Sequence, residues 1–175
     1  MELNRAALAD PRLTVVNEDA MQWLRRASGR FDVIILDFPD PSNYSLGKLY
    51  SFEFYRLVRE RLAPSGALAV QATSPLLARK AFWCVIETLG EVGFLVRPYH
   101  AFLPSFGEWG FALAALSARP EPDAPEQIEL RFLSEHVLTA AFDFPKDMQP
   151  VRTHANRLNN QALVGYYLEE AKHWD

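Results

Sequence analysis

The segment that most constrains this chain is the apolar run Phe31–Leu36, which leads directly into the turn Asp37-Phe38-Pro39-Asp40-Pro41. A β-branched run that ends in an acid is typical of a buried parallel strand with a carboxylate at its carboxyl end. In open α/β sheets, ligands bind at that edge. Asp37 and Asp40 stand three positions apart in a turn stiffened by two prolines. We therefore expect a carboxylate pair that holds a cation or accepts a proton, although Asp and Pro are also ordinary turn residues.

Strand-like and helix-like segments alternate along most of the chain. Apolar runs predict strands at 13–16, 33–37, 67–71, 94–102 and 111–116, and longer periodic segments predict helices at 20–27, 51–62 and 76–92. Such alternation is typical of a parallel α/β sheet. The last two strands are joined by a loop, 104–110, without a helix, so we expect them to form an antiparallel pair at one edge. Further irregular segments are predicted at 39–47 and at a turn, 64–66.

The remainder of the chain has a different pattern. Residues 119–126 contain three prolines and three acids, which predicts a linker. A helical C-terminal extension, 127–175, follows, with one helix at 135–142 capped by Ser134 and another at about 159–173. Leu163, Tyr167 and Ala171 share one face of the last helix, so we expect that helix to dock on the rest of the chain.

Composition excludes several classes of function. A net charge of −4 with interspersed acids and bases argues against a nucleic-acid partner. The single cysteine and four histidines show no metal-ligand spacing, so we predict no metal site. No G-x-G-x-x-G loop occurs. We find no secretory signal and no apolar run long enough to cross a bilayer, and therefore expect no membrane segment in this chain and a cytoplasmic location.

Three further positions are candidates for binding. Asp19 follows the first predicted strand, where it could accept a hydrogen bond from an adenine amino group or cap the helix that begins at Ala20. A carboxylate has two oxygens, so both can hold at once. Gln71 ends the third predicted strand and could contact a polar ligand or satisfy backbone groups. The aromatic segment 103–111, which includes Phe106, could cover an alkyl chain or complete the core.

In their order and spacing, these residues resemble the spermidine synthase family, the polyamine aminopropyltransferases. The hallmark D-x-x-D-P is matched at 37–41, an acid followed by a small residue at 19–20, and the glutamine after the next strand at Gln71. A late proline-x-tyrosine before a glycine-phenylalanine strand is partly matched, with Phe106 where the family has tyrosine. The resemblance covers 13–116. Residues 74–83, 104–111 and the tail are most similar to the bacterial branch whose full-length members carry N-terminal transmembrane helices.

The resemblance implies a Rossmann-like fold of the S-adenosylmethionine-dependent methyltransferase type and a specific reaction. The amine of a diamine such as putrescine would attack the aminopropyl carbon of decarboxylated S-adenosylmethionine, a co-substrate, and release 5′-methylthioadenosine, with no prosthetic group. Asp37 would be the base. The residues that would bind the amine substrate are Asp40, Gln71 and Phe106. The residues that would bind the nucleoside are Asp19 and Ala20.

The resemblance also implies that family elements before residue 13 are missing from this chain. These are strands 1 and 2, a glycine-rich loop and the acid that holds the ribose hydroxyls. Residues 1–118 would then form a partial nucleotide-type domain, with the partner of strand 13–16 gone and the edge of strand 33–37 bare. We therefore expect the chain alone to bind nucleoside poorly, to have little or no activity, and to self-associate as a homo-oligomer.

Two alternatives stay open. The first is an S-adenosylmethionine-dependent methyltransferase, because the D-x-P-D turn is similar to the D/N-P-P-[Y/F] loop of amino methyltransferases. The fourth position of that loop is aromatic, whereas here it is Asp40, which suits an aliphatic ammonium better. The second is a non-catalytic fragment or regulatory relative that binds polyamine or a partner chain. The sequence leaves the identity of the amine acceptor open.

Overall fold

The computed structural model describes residues 7–123 and 130–174, and its centre is a four-stranded mixed sheet. The strands are β1 (Phe31–Leu36), β2 (Leu62–Gln71), β3 (Leu95–Leu103) and β4 (Gly107–Ala115). Their order across the sheet is β1-β2-β4-β3. β1 pairs with β2 in parallel, and β4 is antiparallel to both of its neighbours. Three strands therefore run in one direction, with the antiparallel β3–β4 pair at one edge as predicted.

Helices connect and cover these strands. They are α1 (Ala20–Arg26), α2 (Tyr44–Gly47), α3 (Phe52–Arg61), α4 (Arg79–Val92), α5 (Glu135–Ala140) and α6 (Ala162–Ala171), with a 3-10 turn at Lys48–Tyr50. Side-chain oxygens of Asp19, Ser51 and Ser134 cap α1, α3 and α5, as Asp and Ser do at helix starts. α4 ends at Gly93, whose φ of 94° lies in the left-handed region that glycine tolerates.

The predicted first strand, 13–16, is wrong. Residues 13–17 have no regular secondary structure, and Val15 and Val16 are exposed. A strand forms only where a neighbour accepts and donates its backbone hydrogen bonds, and β1 occupies the edge of the described sheet with β2 as its only neighbour there. Local β-propensity is too weak to order an unpaired segment.

Three loop predictions also differ from the structure. Residues 64–66 belong to β2 rather than to a separate turn, but Phe31 pairs with Leu62 and Val33 with Ala67, so residues 63–66 bulge out of the ladder. The predicted loop 104–110 is shorter than expected, because β4 already begins at Gly107, where φ is 74°. Residues 104–106 form the turn that connects β3 to β4, and glycine at 107 tolerates the positive φ that follows this turn. The segment 39–47 contains the short helix α2.

The tail packs onto the α/β body, as predicted for its last helix. Leu163 and Tyr167 of α6 are buried in the core cluster, and α6 contacts mainly α4. α6 begins at Ala162 rather than near residue 159, because residues 158–160 form a turn. In the predicted linker, residues 119–123 form neither helix nor strand, and 124–126 lie outside the described residues.

Among the described residues, one face of the edge strand β1 is exposed. Val33 and Ile35 of β1 are 62% and 72% exposed, whereas the following residue, Leu36, is buried. Side chains alternate between the two faces of a strand. One face of this edge strand is therefore uncovered in the described residues. Within the same residues, no helix is long and apolar enough to cross a membrane.

Candidate active site

A cavity of about 500 Å³ opens where β1 and β2 end. Its lining residues are Asp37, Phe38, Pro39, Asp40, Gln71, Leu103, Phe106, Trp109 and Phe111. The carboxyl ends of parallel strands meet at one edge of a sheet, which is why Asp37, just after β1, and Gln71, the last residue of β2, lie together. The cavity contains four of the six predicted site residues. Acids and an amide line one part, and apolar side chains of the β3–β4 hairpin line the other.

Asp37 is the unengaged member of the acid pair. Its side chain is exposed, and no hydrogen bond or ion pair reaches its carboxylate from the residues that the structure describes. A carboxylate without donors keeps all of its lone pairs available for a ligand proton. The geometry of Asp37 therefore suits binding of an N–H group and acceptance of a proton.

Asp40 is half-buried, and a side-chain donor holds each of its oxygens. Nε2 of Gln71 donates to Oδ1 at 3.1 Å, and the hydroxyl of Tyr167 donates to Oδ2 at 3.0 Å. Both donors come from distant parts of the chain rather than from the turn itself. Contacts from the rest of the fold thus orient the side chain of Asp40, and its oxygens do not cap its own turn. One lone pair on each oxygen is left for a cation.

Tyr50, a buried residue outside the cavity lining, sets the orientation of the Gln71 side chain. Its side chain is buried, and its hydroxyl lies 2.9 Å from Oε1 of Gln71 and 3.0 Å from the carbonyl oxygen of Phe38. Because a phenol near acceptors donates, Oε1 accepts here and Nε2 is left to face Asp40. Burial, and after it the charges of Asp40 and Asp37, raises the pKa of Tyr50 well above that of a free tyrosine. Tyr50 therefore remains a neutral donor.

The apolar wall comes from the β3–β4 hairpin. Phe106, at its tip, is 62% exposed, and its ring centroid lies 5.3 Å from that of Trp109. Gly110 lets β4 approach the body closely, since a Cβ there would lie 2.4 Å from the Phe82 ring. An alkyl chain with a charged end fits a cavity of this kind, with methylenes against the aromatic rings and the cation against the acids.

The structure does not bring Asp19 and Ala20 into this cavity. Oδ1 of Asp19 accepts the backbone N–H of Gln22 at 3.0 Å, and Oδ2 pairs with Nζ of Lys48 at 2.5 Å. The bond from Lys48, and then that from Gln22, holds the pKa of Asp19 below the usual aspartate value. The helix-cap interpretation of Asp19 is confirmed. Ala20 is the first residue of α1.

Sequence reasoning did not predict the contacts that Tyr50 and Tyr167 make at this site, nor the ion pair of Lys48 with Asp19 outside it. Tyr167 was identified on the apolar face of the last helix, and a phenol on an apolar face usually has a buried hydrogen-bond partner. That signal predicts that the Tyr167 hydroxyl has a hydrogen-bond partner, but it does not identify the partner. Trp109 lies in the aromatic segment for which the sequence left open either a position over an alkyl chain or a position in the core. Lys48 carried no signal, because surface lysines occur throughout the sequence.

Comparisons with a family model and with curated relatives identify the same family. Residues 1–125 match the family model described as the spermine/spermidine synthase domain. A polyamine aminopropyltransferase of Ralstonia nicotianae is 51% identical over 169 residues, 96% of this chain and 33% of that protein. One of Leptospira interrogans is 45% identical over 172 residues, 97% of this chain and 34% of that protein. The chain therefore spans about a third of the length of these curated relatives.

Solved structures agree on the fold. A spermidine synthase crystallised with the transition-state analogue AdoDATO matches with a TM-score of 0.73 at 24% identity, covering 84% of this chain and 54% of that one. The spermidine synthase of Thermotoga maritima matches with a TM-score of 0.70, also at 24% identity, covering 84% of this chain and 53% of that one. At this level of identity the likeness establishes the architecture of the α/β body and no more.

Proposed function

Because this chain belongs to the spermine/spermidine synthase family, we propose that it carries the acceptor-amine part of a polyamine aminopropyltransferase site. The observation that carries the proposal is the cavity in which Asp37 and Asp40 face an apolar wall formed by Phe106, Trp109 and Phe111. A diamine has the matching chemistry, since it carries a cation at each end of a short alkyl chain.

The reaction requires little of the protein beyond alignment and one proton transfer. The nitrogen lone pair of the acceptor attacks the methylene next to the sulfonium of decarboxylated S-adenosylmethionine. A C–N bond forms, the C–S bond breaks, and its electrons neutralise the sulfur to give 5′-methylthioadenosine. The ammonium must first lose a proton, because a protonated amine has no lone pair. Holding the two reactants in line supplies much of the remaining rate enhancement.

In this scheme Asp37 and Asp40 have different roles. Asp37, with its unoccupied oxygens, accepts the proton of the attacking amine. Asp40, aligned by Gln71 and Tyr167, binds an ammonium group of the same substrate. Phe106 and Trp109 cover the methylenes between the nitrogens. No prosthetic group takes part in this scheme.

The donor side is formed by a different region. We propose that Asp19 and Ala20, at the start of α1, hold the adenine of decarboxylated S-adenosylmethionine. Oδ2 of Asp19 pairs with Lys48 in this structure, so adenine would share or displace that contact. We further propose that residues 1–118 act as a partial nucleotide-type domain and 127–175 as a helical extension, whose helix α6 packs on the body. We therefore expect this chain alone to bind nucleoside more weakly than with a micromolar dissociation constant. Calorimetry with 5′-methylthioadenosine measures that constant.

The test offers both donors to the same protein. The chain is incubated at high concentration with 1,4-diaminobutane and either decarboxylated or intact S-adenosylmethionine, and products are identified by mass spectrometry. Slow aminopropyl transfer that Asp37→Asn lowers by about 10²-fold or more supports the proposal. The control, Asp147→Asn, changes an exposed acid outside the cavity lining.

The other outcomes separate the alternatives. Methyl transfer without aminopropyl transfer identifies a methyltransferase and contradicts the proposal. Aminopropyl transfer that is unchanged in Asp37→Asn rejects Asp37 as the base. Binding of the diamine with no transfer of either group identifies a non-catalytic relative or fragment.

A further inference from the structure

The C-terminal helix α6 takes part in the cavity through one side chain. The hydroxyl of Tyr167 lies 3.0 Å from Oδ2 of Asp40, although the two residues are 127 positions apart. Tyr167 is only 8% exposed, so this contact is shielded from bulk water. A hydrogen bond from a buried neutral donor to a carboxylate is stronger than one on the surface.

Several contacts hold Tyr167 in place. The ring of Trp174 packs edge-on against it with centroids 5.2 Å apart, and the indole N–H of Trp174 donates to the Leu77 carbonyl at 3.0 Å. One turn beyond Tyr167 on the helix, Glu170 accepts the backbone N–H groups of Lys80 and Ala81, at the start of α4. The phenol is therefore presented by a helix that is anchored independently of the cavity.

The hydroxyl of Tyr167 is also fixed as a donor. Burial, and after it the charge of Asp40, raises the pKa of Tyr167 well above the tyrosine norm. With Gln71 on the other oxygen, both oxygens of the Asp40 carboxylate accept a hydrogen bond from a side chain. Neither donor occupies the remaining lone pair on each oxygen, which leaves these lone pairs for a ligand.

We propose that Tyr167 is a positioning residue for amine recognition: α6 completes the diamine site by orienting Asp40, although Tyr167 itself does not contact the substrate. This inference rests on the proposed function, because it concerns how the same cavity binds a diamine. It makes the C-terminal extension a functional part of the site. The chemical class of ligand that it affects is the alkyl diamine, and the nucleoside donor is unaffected.

The experiment compares two tyrosines on one helix. Tyr167→Phe removes only the hydroxyl and keeps the ring against Trp174. Tyr166→Phe is the matched control, because no hydrogen bond of its hydroxyl occurs among the described residues and it does not line the cavity. Isothermal calorimetry measures 1,4-diaminobutane binding to wild type and both variants, and thermal unfolding is measured with and without the diamine.

The expected result is an about tenfold weaker diamine affinity for Tyr167→Phe, with Tyr166→Phe within about twofold of wild type. The diamine should also raise the unfolding temperature of Tyr166→Phe more than that of Tyr167→Phe. Where transfer is measurable, KM for the diamine rises and kcat stays within about twofold, which a general loss of folded protein would not produce.

Three results overturn the inference in different ways. Equal diamine affinity in Tyr167→Phe and wild type rejects the positioning role and leaves the proposed function standing. Absence of diamine binding by the wild-type chain rejects the proposed function for this chain, and the inference with it. A decrease of the same size in Tyr166→Phe also rejects the inference, because it would assign the effect to the helix rather than to the hydroxyl.

Discussion

The hydroxyl of Tyr167 and the carboxylate of Asp40 lie 3.0 Å apart, joining the last helix of the chain to the turn that follows the first strand. The same helix is tied to the body by Asn156, whose side chain donates to the Gly47 carbonyl at 2.9 Å and accepts the Leu163 N–H at 3.2 Å. The tail and Asp40 are thus parts of one packed unit.

Removal of the Tyr50 hydroxyl should destabilise the fold. The buried hydroxyl of Tyr50 lies within hydrogen-bond distance of Oε1 of Gln71 and of the carbonyl oxygens of Phe38 and Pro39. Tyr50→Phe removes this donor. We expect the free energy of unfolding to fall by about 1–3 kcal/mol, measured by urea denaturation. Tyr44→Phe, at a ring that is 70% exposed, is the control and should change it by less than about 0.5 kcal/mol. Equal effects would mean that the Tyr50 contacts contribute nothing.

Asn156 should be one of the most sensitive positions in the tail. Its side chain is fully buried with both polar ends bonded, so Asn156→Ala leaves the Gly47 carbonyl and the Leu163 N–H without their partners. We expect a loss of about 2–4 kcal/mol in the free energy of unfolding, with faster proteolysis of the tail. Asn159→Ala, at an exposed position, should stay near wild type. A stable Asn156→Ala with a protected tail would show that α6 is anchored elsewhere.

The buried phenols predict a loss of stability in alkali. The pKa values of Tyr50 and Tyr167 are raised by burial and by the neighbouring acids, whereas an unfolded tyrosine titrates near pH 10. A raised folded-state pKa contributes stability that is fully present below about pH 10 and is lost as the pH rises above it. Urea denaturation between pH 8 and 11 should show this decline, and Tyr167→Phe should reduce it relative to Tyr44→Phe. The same slope in both variants would contradict the prediction.

The uncovered face of β1 predicts self-association. Val33 and Ile35 are largely exposed on an edge strand, and such surface is usually covered by a partner. We expect multi-angle light scattering to report a homo-oligomer at high protein concentration. Ile35→Lys should shift the population toward monomer, and Leu130→Lys, at an exposed apolar residue outside the strands, should not. A monomeric wild type at high concentration would reject the homo-oligomer.

Much of the site followed from local pattern. An apolar run ending in an acid predicted β1 and the place of Asp37, and the polar residue at the end of the next strand predicted Gln71. The positions of Asp37 and Gln71 at the ends of β1 and β2 are confirmed, because a parallel sheet brings the carboxyl ends of its strands together regardless of loop conformation. Their roles in binding and catalysis stay predictions. For the aromatic segment the sequence left two positions open, against an alkyl chain or in the core, and the structure places Phe106, Trp109 and Phe111 in the cavity lining.

The failures have physical causes as well. Residues 13–16 have strand propensity, but a strand needs a neighbour that local sequence does not reveal. Tyr167 was correctly predicted to be on a docking face, yet its partner lies 127 positions away and no periodicity encodes such a pairing. Asp19 satisfied two interpretations equally well, and only the ion pair with Lys48 shows how both of its oxygens are used here.

The most direct test of the acid pair is an NMR titration of the aspartate carboxyl carbons with 1,4-diaminobutane. If the pair binds an alkylammonium, the resonances of Asp37 and Asp40 should shift along one saturable curve, while those of Asp143 and Asp147, outside the cavity lining, stay in place. Unmoved resonances for Asp37 and Asp40, or equal and unsaturable shifts at all four residues, would contradict the account.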